Sequence, residues 1–202
     1  MIFLDFIRIT GALPGLLYFR PKYRYISKEA KKRVRGGALL ISNHTSFRDP
    51  VYTLFALWYR RQFFVCHKVF FESRAAFWFR LVGCMIPIDA NNMNIDSFRT
   101  ITDRLKEGRV VTIFPEGHVR KDGDLQEFKS GAVLMSMQSK CPIVPVYIKA
   151  PKHWYNRLVI VIGEQVDITQ MCGGRPSFSK IGEITALLRE REELLEEYAK
   201  KQ

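Results

Sequence analysis

The sequence predicts an α/β protein: a mostly parallel central sheet flanked by helices, with an N-terminal amphipathic helical segment. Short apolar runs rich in β-branched residues alternate with helical stretches along most of the chain. Most of these runs are continuously apolar, as expected of strands that are covered on both faces. The 202 residues, 47% of them hydrophobic, suffice for one domain with its own core.

The apolar runs and the stretches between them predict the elements in order. Six strands are predicted: ALLIS from Ala38, QFFVC from Gln62, CMIPI from Cys84, RVVTIF from Arg109, PIVPVYI from Pro142 and RLVIVI from Arg157. Helices are predicted over residues 50–59, 75–81, 95–107 and 129–139. The tail from Ile181 has one apolar and one charged helical face, which is typical of a solvated amphipathic helix, and the sequence assigns it no chemistry.

Residues 1–35 are predicted to form a basic, amphipathic membrane-docking segment, and residues 36–202 the main domain. Apolar residues from Phe3 to Leu17 recur near helical spacing, and eight Lys or Arg residues follow between Arg20 and Arg35. Charged residues and a proline keep both apolar runs below the roughly 20 residues of a spanning helix. The start also lacks the features of a signal peptide. Two alternatives stay open: the helix enters a membrane interface, or it packs on its own domain.

Charge and cysteine usage restrict the partners. A net charge of +12 and a pI of about 9.7 attract polyanions: nucleic acid, anionic lipid, or an acidic protein or cofactor. We expect no nucleic-acid partner, because the chain contains no motif of that kind. The four cysteines have neither metal-ligand spacing nor a disulfide framework, so we expect reduced thiols in a cytosolic setting and no metal site.

The segment SNHTSFRDP follows the first predicted core strand, and strand ends of this kind are where open α/β sheets bind ligands. Its His44 and Asp49 would lie about 500° apart on a helix, so only a turn can pair them. Asp49 before Pro50 predicts a helix start, with Asp49 as N-cap and Pro50 at the first helical position. A carboxylate on one imidazole nitrogen raises the basicity of the other, which makes His44 a candidate general base. The alternative is a capped helix beside a surface histidine.

A second segment, FPEG, follows the strand RVVTIF. Pro115 and Gly117 favour a turn that presents Glu116, a carboxylate able to bind substrate hydroxyls or to pair with a base. Further along, KSGA begins a helix, and Lys129 lies near its N-terminus, where anions bind readily. We expect His118 to be a surface loop residue, and the hydroxyls of Thr45 and Ser46 to serve as loop hydrogen-bonders.

Together these motifs resemble a known family. NHTSFRDP resembles the NHxSxxD block, with its HX4D spacing, and FPEGHVRKDGDLQEFKSGA the FPEG block of the glycerolipid acyltransferases. That family comprises the lysophosphatidic acid (1-acylglycerol-3-phosphate) acyltransferases and their relatives. GCMIPID and CPIVPVYI are similar to its other two blocks, so four blocks stand in the family's order across residues 39–149.

The resemblance implies acyl transfer from acyl-CoA or an acidic acyl carrier protein to a lysophospholipid hydroxyl, foremost that of 1-acylglycerol-3-phosphate. His44 would deprotonate the hydroxyl and Asp49 would orient His44. Glu116 and Gly117 would belong to the acceptor-binding loop, with Ser46 as a further substrate contact. Residues 36–202 would be the acyltransferase domain, without cofactor or metal. The enzyme would dock peripherally or monotopically on an anionic membrane, at the cytoplasmic face of the cell membrane.

Two positions depart from the family pattern. The family commonly has Arg where this chain has Ala90 and Val119, and those arginines are assigned to the acceptor phosphate. The candidate substitutes are cations of neighbouring segments: Lys68, Arg80, Arg120 and Lys129. Alternatively, the acceptor phosphate lies elsewhere, carries a head group or is absent. The EG-x-V pattern also resembles the transacylase branch of the family, which lacks the same Arg. A hydrolase and a non-catalytic lipid-binding protein are the remaining alternatives.

Overall fold

A computed structural model describes residue 10 and residues 13–72, 74–77, 84–88, 95–120, 125–153, 155–173 and 177–201. Its strands are β1 (Lys22–Tyr25), β2 (Ala38–Ser42), β3 (Gln62–His67), β4 (Met85–Ile88), β5 (Val110–Ile113), β6 (Ile143–Lys149) and β7 (Val159–Ile162). Its helices are α1 (residues 13–19), α2 (Asp49–Ala56), α3 (Lys68–Glu72), α4 (Ile95–Lys106), α5 (Gly131–Ser139), α6 (Ile168–Cys172) and α7 (Phe178–Lys200), with a 3₁₀ turn at Arg74–Ala76.

The strands form one seven-stranded sheet in the order β1-β7-β6-β2-β5-β3-β4. Every neighbouring pair is parallel except β6 and β7. This confirms the predicted fold class, and each predicted strand is present with ends shifted by at most two residues. Helices α4 and α5 also match their predictions closely. The predicted helix 75–81 lies partly outside the described residues, and α3 and α6 were not predicted.

Both faces of the sheet are covered, as its continuous apolar strands predict. In β2, Leu39 and Ile41 point to a core that α4, α5 and α7 complete. Ala38 and Leu40 point to a second core on the opposite face, closed by α2. All five β2 residues are buried, and burial contributes roughly 1.5–3 kcal/mol for a side chain such as Leu. The loops that leave the central strands therefore start from a well-packed, buried core.

Strand β1 corrects the view of residues 1–35 as a segment apart from the domain's sheet. Lys22 to Tyr25 pair in parallel with β7, in the register Lys22↔Val159 to Tyr25↔Ile162. The sequence KYRY has no apolar run, and its partner strand is more than 130 residues away, so local patterns do not predict it. The docking role of the segment stays a prediction.

Helix α1 packs on the domain with one side and exposes apolar residues on the other. The ring of Phe19 lies 5.3 Å from that of Tyr52 and 5.7 Å from that of Phe55, both in α2. Leu13 and Leu17 are exposed. Most of the residues that precede them lie outside the described part of the chain. No helix in the described ranges is both long and apolar enough to cross a bilayer.

Candidate active site

The two charged motifs meet at the carboxyl-end edge of the sheet because their strands are neighbours. In the β2–β5 ladder, Ile41 pairs with Ile113. His44 and Glu116 each lie three residues beyond that pair, so parallel pairing brings them to the same level. The backbone N–H of His44 donates to Glu116 Oε1 at 3.1 Å. Conversely, the backbone N–H of Arg120 donates to the His44 carbonyl at 2.8 Å.

His44 and Asp49 are paired, as predicted. The distance from His44 Nδ1 to Asp49 Oδ2 is 3.2 Å, and the two side chains are 15% and 0% exposed. Nε2, the second ring nitrogen, has no partner among the described residues. The ring also stacks on Phe114, with 4.2 Å between centroids and 19° between planes. With Nδ1 donating to the carboxylate, Nε2 is left as a proton acceptor at the edge of the sheet.

The predicted N-cap role of Asp49 was wrong. Helix α2 begins at Asp49, and Arg48 stands in the cap position without a side-chain cap bond. Instead, the Asp49 carboxylate turns back into the loop, where Oδ2 accepts the N–H groups of Thr45 at 2.6 Å and Ser46 at 2.7 Å. Those two donors hold the carboxylate in place independently of the histidine, so the loop presents a fixed oxygen to the imidazole.

Glu116 and Arg120 form a buried ion pair. Arg120 Nε lies 2.8 Å from Glu116 Oε2 and 3.0 Å from Oε1, and both side chains are almost fully buried. Arg120 Nη1 also lies 3.6 Å from Glu196 Oε2 on α7. The structure thus assigns both residues a part in joining the two motif loops. That Glu116 and Arg120 contact an acceptor stays a prediction. Both side chains would have to make that contact from a buried position.

Gly117 and Lys129 lie together at the same edge. Gly117 has φ +79°, and a Cβ added there would lie 2.8 Å from Lys129 Nζ. The left-handed backbone favours glycine at this position, and the short distance shows that the Lys129 side chain lies against the turn. Lys129 is exposed, and its backbone N–H donates to the Pro115 carbonyl at 3.0 Å. The turn therefore presents an ammonium group at the surface beside the motif.

The remaining predicted residues lie on the same edge or outside the described chain. Lys68 is exposed and begins α3, directly after β3. Ser46 Oγ accepts the backbone N–H of Arg48 at 3.1 Å, the loop role expected of it; its substrate contact stays a prediction. Arg80 and Ala90 are outside the described residues.

Sequence reasoning missed three residues around His44. Asn43 is fully buried, and its side chain bonds both backbone groups of Ile148. Glu192 and Glu196 reach the site from α7, the helix to which the sequence assigns no chemistry. A signal was present for Glu192: it is four residues after Leu188 and three before Leu195, on the apolar face.

An α/β sheet that carries a His–Asp pair and an FPEG turn at adjacent strand ends defines a class of candidate general-base enzymes. The chain belongs to the Acyltransferase family, whose model matches residues 23–149. The matched range begins at β1, inside the predicted docking segment.

Individual relatives agree with the family. Over 195 residues the chain is 26% identical to the 1-acyl-sn-glycerol-3-phosphate acyltransferase of Bacillus subtilis (strain 168), covering 93% of this chain and 94% of that protein. It is 31% identical over 150 residues to the protein of the same name from Limnanthes douglasii, covering 69% and 49%. The chain spans about a third to a half of the length of the plant relatives it matches.

A solved structure shares the fold. The 1-acyl-sn-glycerophosphate (LPA) acyltransferase PlsC from Thermotoga maritima superposes with a TM-score of 0.67 at 20% identity, covering 97% of this chain and 79% of that one. At that identity the likeness shows the fold alone.

Proposed function

We propose that the chain is a membrane-peripheral O-acyltransferase that moves an acyl group from an acyl thioester to a lysophospholipid hydroxyl. The observation that carries the proposal is the 3.2 Å contact between His44 Nδ1 and Asp49, with Nε2 left to act at the sheet edge. Names of the relatives support 1-acylglycerol-3-phosphate as the acceptor. Acylation of its free hydroxyl gives phosphatidic acid. The donor is acyl-CoA or acyl carrier protein.

The proposed reaction needs only one base. His44 Nε2 takes the proton of the acceptor hydroxyl while its oxygen attacks the thioester carbonyl. Collapse of the tetrahedral intermediate breaks the C–S bond, and the thiolate takes the proton back from Nε2. Buried Asp49 stabilises the imidazolium between the two steps and keeps the ring in place. No acyl-enzyme forms, because the hydroxyl attacks the thioester directly.

Lys129 is our candidate for the acceptor phosphate, with Lys68 as a second cation at the same edge. Arg120 is less suited, because its guanidinium is buried against Glu116 and Glu196. An exposed ammonium beside Gly117 offers a point charge, not the bidentate geometry of an arginine. That difference favours testing head-group-bearing acceptors, whose phosphates carry one charge less, beside 1-acylglycerol-3-phosphate.

The membrane mode of the proposal rests on exposed apolar residues. Phe47, in the His44–Asp49 loop, is 78% exposed, and Val69, just after Lys68, is also exposed at this edge. Leu13 and Leu17 add apolar surface from α1. With the chain's positive charge, these residues suit docking on an anionic bilayer at the cytoplasmic face of the membrane, where a lysolipid is presented.

The test is an acyl-transfer assay of the purified protein. Labelled acyl-CoA and acyl carrier protein are each offered with 1-acylglycerol-3-phosphate, lysophosphatidylcholine and a phosphate-free monoacylglycerol in anionic vesicles. We expect acylated lipid, with 1-acylglycerol-3-phosphate turned over fastest. Release of free fatty acid alone would indicate a hydrolase. Vesicle binding without turnover of any pair would indicate a lipid-binding protein, and either result would overturn the proposal.

A further inference from the structure

We propose that Glu192, on the C-terminal helix α7, is a positioning residue that fixes His44 at the sheet edge by holding the backbone of Asn43. The inference rests on the proposed function in one respect, namely that the positioned histidine is the base. Glu192 lies outside the two motifs, and it contacts the catalytic loop through one hydrogen bond that spans 149 positions of the chain.

Asn43 explains why the loop needs an anchor of this kind. The β2–β6 ladder ends at the pair Ser42↔Val146. One residue later, the Asn43 side chain takes over the pairing: Nδ2 donates to the Ile148 carbonyl at 3.0 Å, and Oδ1 accepts the Ile148 N–H at 2.7 Å. Because the side chain now satisfies β6, the Asn43 backbone can leave the sheet and turn towards His44.

The backbone N–H of Asn43 donates to Glu192 Oε1 at 3.2 Å. Asn43 is fully buried, and a buried N–H without an acceptor costs about 1–3 kcal/mol. The carboxylate therefore specifies which way the residue before His44 faces. Side chain and backbone of Asn43 are held from two sides, by β6 and by α7.

Glu192 stands where packing alone would favour an apolar residue. It is 0% exposed, on the helix face that also buries Leu188 and Leu195. Burial raises the pKa of Glu192 well above its usual range, and the Asn43 N–H and the charge of Arg120 oppose that rise. Burying a carboxyl group is costly in free energy, so this residue is poorly explained by stability of the helix.

A second link joins α7 to the other side of His44. One helical turn after Glu192, Glu196 faces Arg120 Nη1 at 3.6 Å. The backbone N–H of Arg120 in turn donates to the His44 carbonyl at 2.8 Å. Thus α7 holds the chain before and after His44 through two carboxylates on one rigid helix. Such precision matters because a misplacement of about 1 Å can cost roughly 10²-fold in rate.

The test uses three substitutions on α7 in the full-length protein. Glu192→Met removes the acceptor oxygen, Glu192→Gln keeps one, and Glu193→Met is the matched control at a half-exposed neighbour. We expect Glu192→Met to lower kcat by about 10- to 100-fold with KM nearly unchanged. The kcat of Glu192→Gln should stay within about threefold of the wild-type value, and the kcat of Glu193→Met should equal the wild-type value. A purely structural role would lower Tm without this split between kcat and KM.

A second readout is independent of acyl transfer. The nitrogen chemical shifts of His44, assigned by their loss in His44→Ala, report which ring nitrogen carries the proton. We expect the Nδ1-protonated form in the wild type and in Glu192→Gln, and a shifted population in Glu192→Met. If these shifts change as expected while no variant or wild type turns over a lysolipid, the positioning role stands and the proposed function fails.

A folded Glu192→Met variant with wild-type kcat and an unchanged His44 spectrum would overturn the proposal. If that variant does not fold, Glu192→Asp decides, because it keeps a carboxyl group and withdraws its oxygen from Asn43 by one methylene. We expect Glu192→Asp to lower kcat about tenfold, and an unchanged kcat there would equally overturn the proposal.

Discussion

The loops after β2 and β5 leave adjacent strands at the same level, yet they use their charged residues in opposite ways. The β2 loop buries only its carboxylate, Asp49, and leaves Nε2 of His44 without a partner among the described residues. The β5 loop buries both Glu116 and Arg120 against each other. Two motifs that look alike in sequence, each with a charged residue beside a turn, thus divide the work. We propose that the first is arranged for chemistry and that the second supports it.

His44→Ala should give the largest effect on activity. We expect acyl transfer to fall about 10³- to 10⁴-fold, because the proton acceptor is lost. The Tm should fall only moderately, because the largely buried ring makes one side-chain hydrogen bond among the described residues and stacks on Phe114. Steady-state kinetics and thermal unfolding, measured on the same preparation, check the predicted loss of activity and the predicted change in Tm. If activity persists while Tm collapses, the loop after β2 is the structural one and the comparison fails.

Arg120→Met should show the reverse pattern. Removing the cation leaves Glu116 buried without its ion-pair partner, which we expect to cost about 3–5 kcal/mol in the free energy of unfolding. Denaturant titration measures the loss. Lys180→Met is the control, because its ion pair with Glu183 is exposed and should contribute little to the free energy of unfolding. Equal losses for the two variants would show that the buried pair does not hold the loops.

Lys129→Ala separates recognition from support within the β5 region. Without the ammonium beside Gly117, we expect KM for 1-acylglycerol-3-phosphate to rise about tenfold, with KM for a phosphate-free acceptor unchanged. Lys106→Ala is the control, an exposed lysine at the opposite edge of the sheet. A uniform change for all acceptors would mean that Lys129 supports the turn and does not read the phosphate.

Glu192→Gln gives the smallest expected effect, a change in the pH dependence of stability. Because burial raises the pKa of Glu192 in the folded protein, the folded state holds the proton more tightly than the unfolded state. Stability should therefore fall as pH rises above the usual range of a glutamate. Glu192→Gln cannot ionise, so its Tm should fall less over the same interval. Arg120, Glu116 and Glu196 surround position 192 in both proteins, so a difference in the slope of Tm against pH reports the ionisation of Glu192. Identical slopes would contradict this.

The fold was predictable where local sequence decides it. Strand β2 was placed to the residue and β5 within one, because buried parallel strands are continuous apolar runs. Strand β1 was missed, because its sequence KYRY is basic and aromatic and its pairing with β7 comes from distant residues. The pairing of His44 with Asp49 was predictable because a short turn joins them.

The support of the site was not predictable in the same way. The sequence predicts that Asp49 caps a helix. Its carboxylate instead accepts hydrogen bonds from two backbone N–H groups of the preceding loop. The contact between Asn43 and Glu192 joins residues 149 positions apart. Sequence spacing does not predict a contact between residues so far apart. The one sequence signal for this contact was the ionisable Glu192 on the apolar face of α7.

The central claim is that His44 Nε2 is the proton acceptor in acyl transfer, and chemical rescue tests it most directly. Turnover of His44→Gly is measured with and without free imidazole, under saturating acyl donor and lysolipid. We predict that imidazole restores part of the lost rate in His44→Gly and leaves the wild type unchanged, with a pH dependence that follows neutral imidazole. A His44→Gly enzyme that turns over at the wild-type rate without imidazole would contradict the account.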